Sequence, residues 1–191
     1  YKALLQKELQ RVDAQRADTL SKLSVLCLMM GRNEEAAKYS TEALSLHRDN
    51  SRPLHAAVSA MEVGLVQFGS NKLSRALNIW REALQLACMA MGYDHPHVAV
   101  LLNNIGVLHF ESGDLVGCLK ALNESVSLQR MLLRVSHLNV DHSLHQLATT
   151  MGNLAMAYER RGECDESVSL LQESLSLYES MNNPKIQETM Q

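Results

Sequence analysis

The sequence predicts an all-α fold, a solenoid of antiparallel helix pairs. Three observations predict it. First, small residues return along the chain at Ala36, Ala76, Cys118 and Ser167, spaced 40, 42 and 49 residues apart. Periods of this size mark stacked helical units. Second, a further small residue stands seven positions after each: Ala43, Ala83, Ser125 and Ser174. Leu44, Leu84, Val126 and Leu175 follow at once, and Leu46, Leu86, Leu128 and Leu177 two positions later. Short side chains let two helices cross closely while larger neighbours interlock as ridges in grooves. Third, apolar residues fall at helical spacing, as in Val98, Leu101, Leu102, Ile105 and Leu108, and again in Leu115, Cys118, Leu119, Leu122 and Val126. That pattern lays one apolar stripe along each helix. No stretch alternates with period two for long enough to form a strand.

Taken in order, residues 2–16 form the end of a preceding helix or continue into the first pair. The pairs are 18–29 with 33–48, 53–68 with 72–91, 96–111 with 115–134, and 143–160 with 164–181. The repeats are therefore 18–48, 53–91, 96–134 and 143–181. Within each pair the chain breaks at Met30-Gly31-Arg32-Asn33, Gly69-Ser70-Asn71-Lys72, Ser112-Gly113-Asp114 and Arg161-Gly162-Glu163. Pro184, with Asn183 as N-cap, opens one more helix in 184–191. The whole of 1–191 is read as a single helical-repeat domain.

Composition agrees with this reading. Apolar residues make up 46%, enough for a core, while 3 Pro and 9 Gly are too few for a turn-rich sandwich. The net charge is −3, without the basic footprint that non-specific nucleic-acid binding needs. No apolar run approaches the ~20 residues that span a bilayer. Cys27, Cys88, Cys118 and Cys164 include no C-x-x-C pair, which favours free thiols and an intracellular, cytoplasmic setting. The chain opens at Tyr1 rather than Met, as a fragment or processed form would, so organelle targeting stays open.

Several segments resemble the tetratricopeptide repeat. Leu102-Asn103-Asn104-Ile105-Gly106-Val107-Leu108-His109-Phe110 is similar to that family's first helix, with Gly106 at its glycine. Ser112-Gly113-Asp114 resembles its turn. Asn153-Leu154-Ala155-Met156-Ala157-Tyr158 before Arg161-Gly162-Glu163 resembles both again. Gly64 and Ala155 occupy the place of Gly106, Tyr158 that of the family's tyrosine, and Trp80 the large-residue place of the second helix. Gly92-Tyr93-Asp94-His95-Pro96-His97-Val98-Ala99 looks like the junction in the extended repeats of kinesin light chain and nephrocystin-type proteins. The next junction, Ser136 to His142, lacks the proline and is longer, which suggests a distorted loop. The resemblance covers about residues 18–180. It implies a right-handed superhelix whose concave groove is lined by first helices.

Catalytic chemistry finds little support. His95 with His97, and His142 with His145 near His137, could offer imidazole to a metal. No cysteine or carboxylate joins them at a finger-like or protease-like spacing. The plainer reading is that Asp94 caps a helix and His95-Pro96 shapes its entry. No serine lies in a G-x-S-x-G elbow, and Ser45, Ser127 and Ser176 recur at one repeat position. Glu34-Glu35 and Asp165-Glu166 suit helix N-termini. The ten methionines read mainly as core filler. No catalytic residue, metal or cofactor is expected.

The resemblance instead implies a peptide-binding groove formed by Val58, Met61, Leu65 and Phe68, then Val100, Asn103, Asn104, Val107 and Phe110, then Asn153 and Met156. Thr149, Gly152 and Glu159 complete the fourth repeat's inward positions, and Asp18, Ser21, Val25 and Leu28 hold the corresponding places in the first. Asn104 and Asn153 can pair with the backbone amides of an extended ligand. The lysines and arginines with which chaperone-binding relatives clamp a C-terminal carboxylate are missing. The expected function is a non-enzymatic scaffold or adaptor for a protein or peptide carrying an apolar or amphipathic segment. The alternatives are an architectural subunit embedded permanently in a larger complex, or a regulatory repeat domain of a larger enzyme.

Overall fold

A computed structural model describes residues 2–50, 52–135 and 140–181. It contains eight helices: α1 (Lys2–Met29), α2 (Asn33–Asp49), α3 (Pro53–Gly69), α4 (Leu73–Met91), α5 (Pro96–Glu111), α6 (Leu115–Val135), α7 (Val140–Arg161) and α8 (Cys164–Met181). No strand occurs among the described residues. Two compact units divide the chain, Tyr1–Tyr93 and Asp94–Gln191. Unit 1 packs α1 on α2, α2 on α3 and α3 on α4, and unit 2 repeats the order from α5 to α8. Residues 2–16 continue into the first pair, since α1 runs unbroken with neither Gly nor Pro inside it. The helix expected from Pro184 and the distorted loop at 136–139 lie outside the described residues.

All four intra-pair breaks share one turn. Gly31, Asn71, Gly113 and Gly162 take φ of 72°, 57°, 81° and 90°. The next backbone N–H reaches five residues back in each: Arg32 to the Cys27 carbonyl, Lys72 to Gln67, Asp114 to His109 and Glu163 to Tyr158, at 2.8–3.0 Å. This Schellman closure satisfies carbonyls that would otherwise be left open at the helix end. In the second repeat Asn71, not Gly69, takes the left-handed place, which asparagine tolerates better than most residues.

The small residues meet where the pairs cross. Ala17 and Ala43, Ala57 and Ala83, Ala99 and Ser125, and Ala148 and Ser174 are each 26 residues apart, and all eight are buried. A second set, Ser24, Gly64, Gly106 and Ala155, stands 12 residues before Ala36, Ala76, Cys118 and Ser167, again all buried. Hydroxyls in these sets bond across the crossings: the Ser24 hydroxyl donates to the Ala36 carbonyl at 3.1 Å, and Ser125 to Ala99 at 2.7 Å. A Cβ on Gly64 would lie 2.1 Å from Trp80 Nε1. The indole therefore fits because the glycine has no side chain, and its Nε1–H donates to the Met61 carbonyl at 3.0 Å.

Neighbouring repeats are tied within each unit by equivalent ion pairs. Arg48 of α2 meets Glu82 of α4, and Arg130 of α6 meets Glu173 of α8 at 2.7 Å. Exposed pairs of this kind contribute about 0–1 kcal/mol each, so apolar packing must hold the stack. The core of unit 2 gathers Leu119, Leu122 and Val126 of α6 with Leu147, Met151 and Leu154 of α7. Fully burying such a side chain contributes roughly 1.5–3 kcal/mol. Methionine is mostly not core filler, contrary to expectation. Met29, Met30, Met89, Met131 and Met156 are exposed, and of those assigned to particular helices only Met151 is fully buried.

Candidate binding face

In unit 2 the first helices α5 and α7 lie side by side. Asn103 of α5 and Asn153 of α7 meet across them, the Asn153 amide donating to Asn103 Oδ1 at 2.9 Å. One turn further along, Val107, Phe110 and Glu111 of α5, Leu122 of α6, and Asn153 and Met156 of α7 line a pocket of about 120 Å³. Met156 is 52% exposed at its mouth. The Arg160 guanidinium lies 4.8 Å from the centre of the Phe110 ring and donates to the Phe110 carbonyl at 3.4 Å. Asn104 is half-buried, and its side chain bonds to no described residue.

The structure thus brings Val107, Phe110, Asn153 and Met156 together, with Asn103 beside them. Val100 lies elsewhere, in a second cavity of about 380 Å³ with Pro96, His97, Gln129, Leu133, His142 and Gln146 among its walls. Its described walls contain no Asp, Glu, Lys or Arg. Burial, with His95 nearby, lowers the His97 pKa and favours neutral imidazole.

Unit 1 carries Val58, Met61, Leu65 and Phe68 on α3. Leu65 is exposed, and Val58 and Met61 are half-buried. The Phe68 ring turns towards Trp80, with centroids 5.8 Å apart. Of the first-repeat positions, Val25 is exposed, whereas Leu28 is half-buried and packs against the core cluster of Cys27, Ala36 and Val66. Asp18 is also engaged, 3.4 Å from Arg52 and 3.8 Å from the buried His47. Glu62 occupies the repeat position of Asn104 and Asn153. Burial pushes its carboxyl up to about 7, against a smaller opposing effect from Ser21.

Sequence reasoning missed Arg160, Glu111 and Glu62. Their contacts join different helices, although the shared repeat position of Glu62, Asn104 and Asn153 was a usable signal. The histidines find local roles. His95, rather than Asp94, caps α5, its Nδ1 accepting from the His97 N–H at 3.2 Å. His142 pairs with Gln146, and the His145 ring meets Tyr178 edge-on. Among the described residues no three His, Cys, Asp or Glu side chains gather as a metal site. Cys118 is fully buried, and desolvation, reinforced by Asp114, pushes its thiol up to about 11, away from nucleophilic thiolate. No described helix is long and apolar enough to cross a membrane.

A family model for the tetratricopeptide repeat matches residues 57–97 and 147–185. These are tetratricopeptide repeats. Comparison with curated protein sequences finds no match. Among solved structures the chain is similar to BtubC (BKLC) from P. vanneervenii, at 21% identity and a TM-score of 0.78, over 87% of this chain and 65% of that one. It is similar to a putative kinesin light chain from Podosopora anserina with nearly identical TPR-like repeats, at 15% identity and a TM-score of 0.60, over 86% of this chain and 96% of that one. The Rap conjugation gene regulator of plasmid pLS20, solved with the Phr* peptide, gives 18% identity and a TM-score of 0.72, over 93% of this chain and 46% of that one. The repeats are kinesin-light-chain-like in fold. The chain spans under two thirds of BtubC and under half of the Rap regulator.

Proposed function

We propose that this tetratricopeptide array is a non-enzymatic scaffold or adaptor that holds an extended or helical segment of a partner protein along its first helices. One observation carries the reading. Between α5 and α7 an apolar pocket of Val107, Phe110 and Met156 adjoins the Asn103–Asn153 amide pair. Apolar walls take up side chains, while amides both donate and accept and so suit a peptide backbone. A partner segment with an apolar or amphipathic face matches this arrangement. The peptide-bound Rap regulator supports the reading through likeness of fold, and Val58, Met61, Leu65 and Phe68 extend the proposal to unit 1.

The test begins with cross-linking of the intact chain to recover a partner, followed by binding titrations with variants. Phe110 also packs against the core cluster, so its truncation confounds binding with folding. Met156→Asp and Asn104→Ala avoid this, because Met156 is exposed and neither side chain packs against a core cluster. Each is expected to weaken binding roughly tenfold, about 1.4 kcal/mol, with an unchanged melting temperature. Unchanged affinity in both variants sinks the proposal.

A further inference from the structure

The larger cavity of unit 2, about 380 Å³, lies among α5, α6 and α7. Val100 of α5 and Leu132 and Leu133 of α6 give it apolar walls, and Gln129 lines it from a place only 6% exposed. Hydrogen bonds set which way the Gln129 amide faces. The Thr150 hydroxyl donates its one proton to the Gln146 carbonyl at 2.9 Å, so towards Gln129 it can only accept. Gln129 Nε2 therefore takes the Thr150 side, donating at 3.2 Å. Gln129 Oε1 is left buried with no partner among the described residues. A buried acceptor without a donor is costly, and this one belongs to a residue that lines open space.

We propose that this cavity is a binding site for a small neutral molecule, chiefly apolar, whose one N–H or O–H donates to Gln129 Oε1. Its volume falls at the lower end of the ~300–1,000 Å³ of small-molecule sites. A dry cavity of ~150 Å³ already holds benzene, so one or two fused rings suit this one. A single water could donate to Oε1 but would leave most of the apolar volume unfilled. The described walls offer an ionised ligand no Asp, Glu, Lys or Arg as counter-charge. Burial, with His95 beside it, also favours the uncharged form of His97 in the wall. The site is separate from the peptide face, for Val107 stands about two turns along α5 from Val100. Walls from three helices suit one compact molecule, whereas an extended chain follows the seam of two.

Indole and benzofuran serve as probes, because they share size and shape while only indole carries an N–H. Titrations of the full chain, followed by amide NMR shifts, read both. Indole is expected to bind in the millimolar range usual for so small a ligand, moving amides in 97–100 and 142–146. It should bind roughly fivefold to tenfold more tightly than benzofuran. Gln129→Leu should erase that preference by weakening indole alone. Val100→Phe, at a half-buried position outside the core cluster, should weaken both probes by filling the cavity. If Gln129→Leu does not fold, the parent comparison and Val100→Phe still decide. Equal affinities for the two probes overturn the proposal, as does a preference that survives Gln129→Leu. So does binding untouched by Val100→Phe, or no indole binding up to about 10 mM, since water alone would then serve Oε1.

Discussion

The Ser125 hydroxyl of α6 donates to the Ala99 carbonyl of α5 at 2.7 Å, at a crossing where both residues are buried. Ser174 and Ala148 repeat the contact at 2.9 Å. The first two repeats place alanine on both sides of this crossing, with no hydroxyl. The site therefore requires small volume, and the hydrogen bond is an addition. Ser125→Ala should cost only about 0.5–1.5 kcal/mol, the net contribution of one hydrogen bond. Ser125→Leu should cost more, roughly 1–3 kcal/mol, by forcing α5 and α6 apart. Urea unfolding midpoints separate the two, and equal losses would contradict a size-limited crossing.

Gly64 and Trp80 make a steeper version of the same constraint. Gly64→Ala sets a methyl 2.1 Å from an indole nitrogen that is itself bonded to the Met61 carbonyl. The indole is buried and cannot swing away, so a loss of roughly 3 kcal/mol is expected. Gly106→Ala meets the branched end of Leu122 at 2.6 Å, which can partly turn aside, and should cost less. Gly152→Ala meets nothing within 4 Å and should gain about 0.5–1 kcal/mol from helix propensity. Emission from Trp80, the chain's one tryptophan, should shift in Gly64→Ala alone.

Glu62 gives unit 1 a defined pH dependence. Its folded pKa is raised to about 7 by burial, from an ordinary 4.5. Between these values the folded state binds more protons than the unfolded one, so stability falls as pH rises from about 4.5 to 7. The loss is complete above pH 7 and is on the order of 2 kcal/mol after allowing for partial exposure. Glu62→Gln resembles the protonated carboxyl in shape. It should leave stability at pH 4 unchanged and raise it at pH 8. Parallel curves for parent and variant across that range would show that the carboxyl is not desolvated as described.

His47 acts in the opposite sense. It is 2% exposed. Burial first, then the charge of Arg52 and the neighbouring His55, lower its pKa below 6.5, against a weaker upward pull from Asp18. The unfolded chain then binds the extra proton, so the stability linked to neutral His47 is present above pH 6.5 and is lost as pH falls through the folded pKa. His47→Gln should flatten the acid side of the stability profile, which thermal melts from pH 5 to 7 in the Glu62→Gln background would reveal.

Much of the fold was legible because its signals are local. Left-handed turns, prolines at helix starts and apolar stripes at helical spacing are set within a few residues. They placed eight helices, seven with ends within three residues of those observed, while α1 starts at Lys2 rather than at residue 18, and a period of small residues identified the crossings. The candidate face was less legible. The places of Asn103, Val107, Phe110, Asn153 and Met156 followed from their repeat positions, whereas Arg160 over Phe110 and the orphaned Glu62 oxygen did not.

The sequence by itself determined where the chain turns into helix and which residues are short enough to let helices cross, since both depend on neighbours within a turn or two. The tertiary structure alone decided which face of each helix is covered. Asn103 meets Asn153, and Phe110 meets Arg160, across 50 residues of chain. Val126 is buried while the equivalent Leu175 is exposed. Burial at such places is set by whichever helix packs alongside, and no property of the residue itself records which helix that is.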